Sequence, residues 1–217
     1  MTIQHHPPEE LLTSFAAGVL DLGQHVAIAT HLVACPRCRA AVRAMEHVGG
    51  AVLSGLPPSV MSAGCFAAVE ARLAGSVRNY AEPAARGSAT LAEVAGLPDF
   101  VRGYPASVWK WIAPKVHLCP IELPGASATR VFLLKSRPGT RMIGHTHTGF
   151  EMSCVLSGSF AHAGGYFGPG DFDLGDEADN HEVAIVSAED CICLVAMQGD
   201  LRLNGMVGRL LQPLIRM

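Results

Sequence analysis

The stretch HLVACPRC, residues 31–38, places His31, Cys35 and Cys38 at the spacing H-x3-C-x2-C. His31 and Cys35 are four residues apart, so on a helix they share one face. Pro36 marks a boundary between two helices, because the residue before a proline avoids helical geometry and proline suits the first helical position. Two thiolates at C-x2-C spacing can bind one zinc ion, and tetrahedral zinc needs four ligands. The stretch therefore predicts a metal site at a helix junction, against the alternative of three ordinary buried side chains.

Four histidines are candidates for the missing ligand. His5 and His6 stand just before the first predicted helix and could fold back onto the second. His25 lies two helical turns before His31, which is too far for both to bind one ion on a regular helix. His47 lies far along the third predicted helix. The N-terminal pair is favoured, with His6 adjoining the helix start and His5 left open as the alternative.

Helix signals fill the first part of the chain. PPEELL places two prolines at a helix start and two glutamates in its first turn. Apolar residues follow at helical spacing, and Gly23 is the predicted break before the second helix. A third helix runs from Pro36 to the LPP stretch at 56–58, and a shorter fourth covers SAGCFAAVEARLAG. We expect four helices in this part.

These residues resemble a known family. An N-terminal histidine followed by H-x3-C-x2-C across helices 2 and 3 is similar to the zinc-binding anti-sigma factors, over about residues 1–78. The resemblance implies that His6, His31, Cys35 and Cys38 hold a structural Zn²⁺ ion. It also implies that the helical domain binds a bacterial sigma factor and keeps it from RNA polymerase.

The pattern of apolar and turn-forming residues changes after residue 97. Residues 80–96 are rich in Ala, Gly, Pro and Ser, which predicts a linker. Beyond them, short apolar runs such as TRVFLLKS and CICLVAMQG alternate with Gly, Pro and Asp, which predicts closely spaced strands in a sandwich or barrel. The fold class expected is two-domain α + β, with an all-α part (1–79), a linker (80–96) and an all-β part (97–217).

A second ligand set lies in GTRMIGHTHTGFEMSCVLSG. His145 and His147 are two residues apart, so on a strand both point to the same side, and Glu151 follows on the next strand. The spacing matches the first cupin motif, G-x5-H-x-H-x3-E-x6-G, at every position. Two imidazoles and a carboxylate suit Zn²⁺, or alternatively iron, manganese or nickel.

The second cupin motif is degenerate. Gly170 and His181 stand at the right spacing in GDFDLGDEADNHEVAI, but Asp176, Ala178 and Ile185 replace the expected Pro, Gly and Asn. The resemblance implies a jelly-roll-like cupin barrel in which His145, His147, Glu151 and His181 bind the metal. The degenerate turn leaves a catalytic role in doubt, because cupin ligands occur in enzymes and in non-enzymes alike.

The two parts together resemble the ChrR-like anti-sigma factors across nearly the whole chain. The resemblance implies a non-enzymatic transcription regulator that binds an extracytoplasmic-function sigma factor in a 1:1 complex. It further implies that an oxidative or photo-oxidative stress signal, sensed through the cupin domain, releases that sigma factor. The alternative is a metal-dependent cupin enzyme, such as a dioxygenase or isomerase, with a helical partner-binding appendage.

Composition excludes several other classes. The net charge is −3 and no basic block is present, which argues against direct nucleic-acid binding. No run of 18 apolar residues and no secretory signal is visible, so we expect a cytoplasmic protein without membrane contact. Seven cysteines at uneven spacing do not suggest a disulfide framework.

Overall fold

The structure, a computed structural model, describes residues 2–75, 89–125, 127–176 and 182–203. Helices occupy the N-terminal part, and antiparallel strands follow them. The predicted fold class, an all-α part followed by a jelly-roll-like β-part, is confirmed. The predicted domain bounds, 1–79, 80–96 and 97–217, stay a prediction.

Four helices form the N-terminal part: α1 (Glu9–Ala16), α2 (Leu22–Ala34), α3 (Pro36–Ser54) and α4 (Cys65–Gly75). A capping box begins α2: the Asp21 carboxylate accepts the N–H of Gln24, whose side chain accepts the N–H of Asp21 in return. Pro36 is the first residue of α3 and Cys35 precedes it as the N-cap, as the sequence predicts. None of the helices in the described residues is long and apolar enough to cross a membrane.

The break between α1 and α2 lies before the predicted position. Helix α1 ends at Ala16, and Gly18 has a φ of +68°, a conformation that favours glycine. Gly23 lies in the first turn of α2, where a Cβ would meet Thr129 Cβ of the β-part at 2.7 Å. Glycine at this position is therefore explained by a close approach between the two parts, which local sequence does not reveal.

The predicted linker, 80–96, lies partly outside the described residues, which resume at 89. Two short helices follow there: α5 (Ala89–Ala92) and α6 (Asp99–Arg102). Leu91 and Val94 are buried in the main core. The guanidinium of Arg102 donates to three backbone carbonyls of this stretch at 2.5–2.8 Å. Residues 89–96 are thus packed on the molecule.

Eleven strands form the β-part within the described residues. They are β1 (Lys110–Ala113), β2 (Val116–Ile121), β3 (Arg130–Ser136), β4 (His145–His147), β5 (Glu151–Ser157), β6 (Phe160–His162), β7 (Gly165–Phe167), β8 (Phe172–Gly175), β9 (Ala184–Ile185), β10 (Cys191–Met197) and β11 (Leu201–Leu203). One antiparallel sheet has the order β1-β2-β3-β10-β5-β8, a second has the order β7-β6-β9, and β11 pairs with β4. Antiparallel sheets of this kind are typical of jelly rolls and cupins.

One apolar core joins the helical part to the β-part. Helix α2 packs on β5 and β10 of the six-stranded sheet and also against α1 and α3. Ile28 of α2 is fully buried and belongs to the same cluster as Leu133 and Leu194 of the sheet. At the start of α2, the hydroxyl of Thr129 donates to the Asp21 carboxylate at 2.6 Å. The helix that leads to the predicted zinc site is therefore shared by both parts.

Candidate metal centre

The first predicted ligand set, His6, His31, Cys35 and Cys38, meets at the junction of α2 and α3. His31 lies in the last turn of α2, Cys35 joins the helices and Cys38 lies in the first turn of α3. His6 reaches the same point from the segment ahead of α1. The four candidate ligand atoms all lie within 4.8 Å of one another. Within the part of the chain that the structure describes, no other such set was found.

The distances within this cluster suit a tetrahedral zinc ion. His6 Nδ1 lies 3.4 Å from Cys35 Sγ and 3.4 Å from Cys38 Sγ. Tetrahedral bonds of about 2.3 Å to sulfur and about 2.0–2.1 Å to nitrogen separate sulfur and nitrogen ligands by about 3.6 Å. The other N-terminal candidate, His5, stacks on Phe167 with ring centroids 4.0 Å apart. The geometry therefore favours His6 over His5 as the fourth ligand.

His31 is oriented as a ligand by its second ring nitrogen. Its Nδ1–H donates to the carbonyl of Gly170 at 2.8 Å, which leaves the lone pair on Nε2. Nε2 is buried and has no hydrogen-bond partner within the described residues. Burial lowers the pKa of His31 to about 4, so the ring is neutral at pH 7. A buried nitrogen without a partner is costly, and a metal ion would satisfy it.

The two thiols complete a donor set for soft metal ions. Burial and, to a smaller extent, the adjacent Cys35 together raise the pKa of Cys38 to about 12. Binding of a divalent cation favours the thiolate form and releases the thiol protons. Two thiolates and two neutral imidazoles fill a tetrahedral shell and leave no open position. The residues present fit a structural zinc site, and this site has no position for a substrate.

The second predicted set, His145, His147, Glu151 and His181, belongs to the β-part. His145 and His147 are buried on the same side of β4, and Glu151 begins β5. His147 Nε2 lies 3.7 Å from a carboxylate oxygen of Glu151, and the rings of the two histidines meet edge to face at 5.1 Å. His181 lies outside the described residues. The structure thus places His147 beside both His145 and Glu151, although these three residues do not form a ligand cluster as close as the first, and the complete set stays a prediction.

A cavity of about 310 Å³ opens beside this second set, with His145 and Glu151 in its wall. Most of its lining is apolar and includes Ile112, Val116, Phe132, Leu134, Phe160 and Ile185. Burial disfavours the charged forms of both residues. It therefore raises the pKa of Glu151 and lowers the pKa of His145. Cys191 and Cys193 also line the cavity, with their sulfur atoms 3.9 Å apart. The cavity is large enough for a small ligand.

Sequence patterns do not single out the residues of the β-part that contact the first cluster. Gly170 matches only the start of the second cupin motif, yet its carbonyl holds the His31 ring. Asp171 accepts two backbone N–H groups of the segment that precedes His6. The local signal, GPGD at 168–171, predicts a tight turn but does not indicate what the turn contacts.

The helical part also exposes large apolar side chains. On α4, Phe66, Val69 and Leu73 recur at helical spacing, and each is at least 50% exposed. The end of α3 and the following loop add Val48, Val52, Leu53, Leu56, Val60 and Met61. We call these nine residues the α3–α4 surface. Exposed apolar side chains in such numbers are typical of a surface that binds a partner.

Comparison with known proteins identifies the family. A family model described as the ChrR Cupin-like domain matches residues 99–199. Over its whole length the chain is 34% identical to the anti-sigma-E factor ChrR of Cereibacter sphaeroides, with 100% of both chains covered. The chain belongs to the ChrR family of anti-sigma factors. The predicted family is thereby confirmed.

A solved structure of a ChrR protein extends the match to three dimensions. The crystal structure of Rhodobacter sphaeroides SigE in complex with the anti-sigma ChrR matches 91% of this chain, with 100% of that chain covered. The TM-score is 0.71 and the sequence identity is 31%. Membership in the ChrR family supports a regulator and not an enzyme, which removes the main ground for the cupin-enzyme alternative.

Proposed function

We propose that this chain is an anti-sigma factor that binds and inhibits an extracytoplasmic-function sigma factor in the cytoplasm, as a 1:1 complex. The observation that carries the proposal is the full-length identity of 34% to an anti-sigma factor. The matching crystal structure contains a ChrR chain together with SigE. Inhibition by sequestration needs no contact between the inhibitor and DNA, in keeping with the near-neutral charge of the chain.

The α3–α4 surface is the proposed site of sigma-factor binding. Apolar anchors at positions i, i+3 and i+7 are the pattern by which a helix docks into an apolar groove, and Phe66, Val69 and Leu73 have this spacing. Residues 66–74 of α4 are exposed on every side of the helix. This helix buries little apolar area against its own chain. Most of its apolar area is therefore available to be buried by a partner.

The first cluster is the proposed structural zinc site of the helical part. His6, His31, Cys35 and Cys38 would hold Zn²⁺, which would supply a rigid link between the N-terminal segment and the junction of α2 and α3. Helix α3 starts at this junction and ends in the α3–α4 surface. The orientation of that surface therefore depends on the cluster.

The β-part is the proposed sensor of an oxidative or photo-oxidative stress signal that releases the sigma factor. Its proposed metal, Zn²⁺ or alternatively iron, manganese or nickel, would be held by His145, His147, Glu151 and His181. Two buried histidines beside a carboxylate and a ligand-sized cavity support this role.

Co-expression with a sigma factor encoded beside this chain's gene tests the central proposal. We expect a stable 1:1 complex in size-exclusion chromatography with light scattering. Leu73→Asp should weaken the complex by about tenfold or more, because a buried anchor is replaced by a charge. Ala71→Asp, on the opposite side of α4, is the matched control. Absence of any complex would contradict the proposed function. Equal affinity of the two variants for the sigma factor would contradict the proposed surface.

The zinc site is tested by Cys38→Ser, with Cys65→Ser as a control outside the cluster. We expect Cys38→Ser to lose about one zinc ion per chain and to inhibit the sigma factor less well. Cys65→Ser should retain both properties. Full inhibition by a zinc-free Cys38→Ser protein would show that the metal does not maintain the binding-competent shape.

The sensory role of the β-part needs a release assay on the intact complex. We expect His147→Ala to leave the sigma complex intact but to reduce its dissociation by singlet oxygen or an organic peroxide, because the variant removes a buried histidine of the proposed second metal set. Normal release by this variant would argue against sensing through the second set.

A further inference from the structure

The N-terminal segment that carries His6 lies against one turn of the β-part. The backbone N–H groups of Gln4 and His5 donate to Asp171 Oδ1 at 2.7 and 3.0 Å. In return, the N–H of Phe172 donates to the carbonyl of His5 at 3.1 Å. Three hydrogen bonds therefore fix the backbone directly before His6.

The same turn positions the other histidine of the cluster. The carbonyl of Gly170 accepts the Nδ1–H of His31 at 2.8 Å. Gly170 has a φ of +89°, and a Cβ there would meet the side chain of Ile3 at 2.7 Å and that of Ala34 at 3.2 Å. Glycine lets both the N-terminal segment and the end of α2 approach the turn. Both imidazoles of the cluster are thus held from the β-part.

Asp171 is a buried acceptor at the centre of this contact. It is 5% exposed, and its second carboxylate oxygen accepts the N–H of Gly168 at 2.9 Å. The turn is bonded to β5 as well: the N–H of Gly170 donates to the Val155 carbonyl at 2.8 Å, and the N–H of Val155 donates to the Asp171 carbonyl at 3.1 Å. A carboxylate that accepts several N–H groups makes strong, directional bonds. The position of the N-terminal segment therefore follows the position of β5.

We propose that Asp171 is a positioning residue for the zinc centre, holding His6 in place through the backbone of residues 4 and 5. The β-part then completes a metal site whose ligands all belong to the helical part. This inference rests on the proposed zinc site. Partners that orient metal ligands typically change metal affinity by about 10–100-fold, and we expect Asp171 to contribute in this range. Movement of the turn and occupancy of the zinc site are linked as a consequence.

The experiment compares zinc affinity in the full-length chain and in Asp171→Asn by competition with a chromophoric chelator. We expect a loss of about 10–100-fold, because an amide has one acceptor oxygen in place of two. The matched control is Thr129→Val, which removes the hydroxyl that donates to Asp21 at 2.6 Å. That contact joins the same two parts at the far end of α2, so the control should keep zinc affinity within about threefold.

Cobalt substitution gives a readout that a general loss of stability does not change. Cobalt bound by Cys35 and Cys38 has thiolate charge-transfer absorption, whereas the second set contains no sulfur ligand, so the band reports the first cluster. In Asp171→Asn we expect the band to persist with an altered visible spectrum, because solvent replaces His6. Cys35→Ser defines the absence of the site.

A second variant avoids any change in the β-part. Gln4→Pro removes the N–H that donates to Asp171 at 2.7 Å, and Gln4→Ala retains it as the control. We expect Gln4→Pro to weaken zinc binding in the same direction by a smaller factor. Wild-type affinity and spectra in both Asp171→Asn and Gln4→Pro would overturn the proposal, as would an equal loss in Thr129→Val. Absence of the thiolate band in the unaltered chain would overturn the zinc site itself.

Discussion

Helices α2 and α4 belong to the same helical part but differ in what covers them. Helix α2 lies between α1, α3 and the sheet of the β-part, and its central residue Ile28 is fully buried. Helix α4 exposes Phe66 and Leu73, at 69% and 70%. Both helices are rich in apolar residues, so local sequence alone does not tell them apart.

This difference shows that the two helices have different roles: one joins the helical part to the β-part, and the other stays exposed. Its inner helix is bound to the β-part along its length, from Asp21 at one end to His31 at the other. Its outer helix exposes apolar side chains, which form part of the proposed surface for the sigma factor. Removal of the β-part would uncover the inner helix, so variants in the full chain test these functions more cleanly than truncation does.

The largest expected effect comes from the inner helix. Ile28→Ala leaves a cavity between the two parts and should lower the free energy of unfolding by about 2–5 kcal/mol. Urea unfolding of the zinc-loaded chain, followed by circular dichroism, measures the change. A cost below about 1 kcal/mol would show that α2 is not firmly packed on the sheet.

Proton binding at His31 should give the next largest effect, in the metal-free chain. Folding lowers its pKa from 6.5 to about 4, so the unfolded state binds more protons between these values and stability falls as pH decreases. From pH 7.5 to pH 5 the loss attributable to His31 should be about 2 kcal/mol. Urea unfolding with a chelator present, in wild type and His31→Gln, measures it. Equal pH dependence of the two proteins would contradict the assignment.

Loss of the contact at the start of α2 should be smaller. Asp21→Ala removes both the helix cap and the acceptor for Thr129, which should cost about 0.5–2 kcal/mol. Thr129→Val removes only one contact between the parts, so the difference between the two variants reports the cap together with the hydrogen bond that Asp21 accepts from Ser127 at 3.4 Å. Thermal unfolding is sufficient to rank them. A larger cost for Thr129→Val than for Asp21→Ala would contradict this division.

The smallest effect on stability is expected on the outer helix. Leu73→Ala should change the free energy of unfolding by less than about 0.5 kcal/mol, because the side chain contacts little of its own chain. The same unfolding assay as for Ile28→Ala applies. A cost comparable to that of Ile28→Ala would show that α4 is covered in solution, and the contrast between the helices would then disappear.

Much of the fold and of the first cluster follows from short-range patterns. Pro36 fixes the start of α3, and H-x3-C-x2-C fixes the spacing of three candidate ligands across that boundary. The change to closely spaced strands after residue 97 predicts the β-part correctly. These features depend on neighbours within a few residues, and the spacing of residues along the chain carries that information directly.

Long-range contacts account for what the sequence left open or placed wrongly. The predicted break at Gly23 is wrong, because that glycine serves the approach of Thr129, more than a hundred residues away. The structure favours His6 over His5 as the fourth candidate ligand, because the His6 ring faces the two thiols once the segment lies on the β-part. Neither contact has a local pattern that would predict it.

The sequence by itself determined the residue types and spacings of both candidate ligand sets, the order of a helical and a β-part, and the family. Tertiary structure decided that the first cluster lies against the turn that contains Gly170 and Asp171, that α2 is an inner helix, and that α4 is an outer one. The physical reason is that ligand spacing and helix periodicity are local properties of a chain. Which surfaces become buried depends on packing between segments separated by as many as 167 residues.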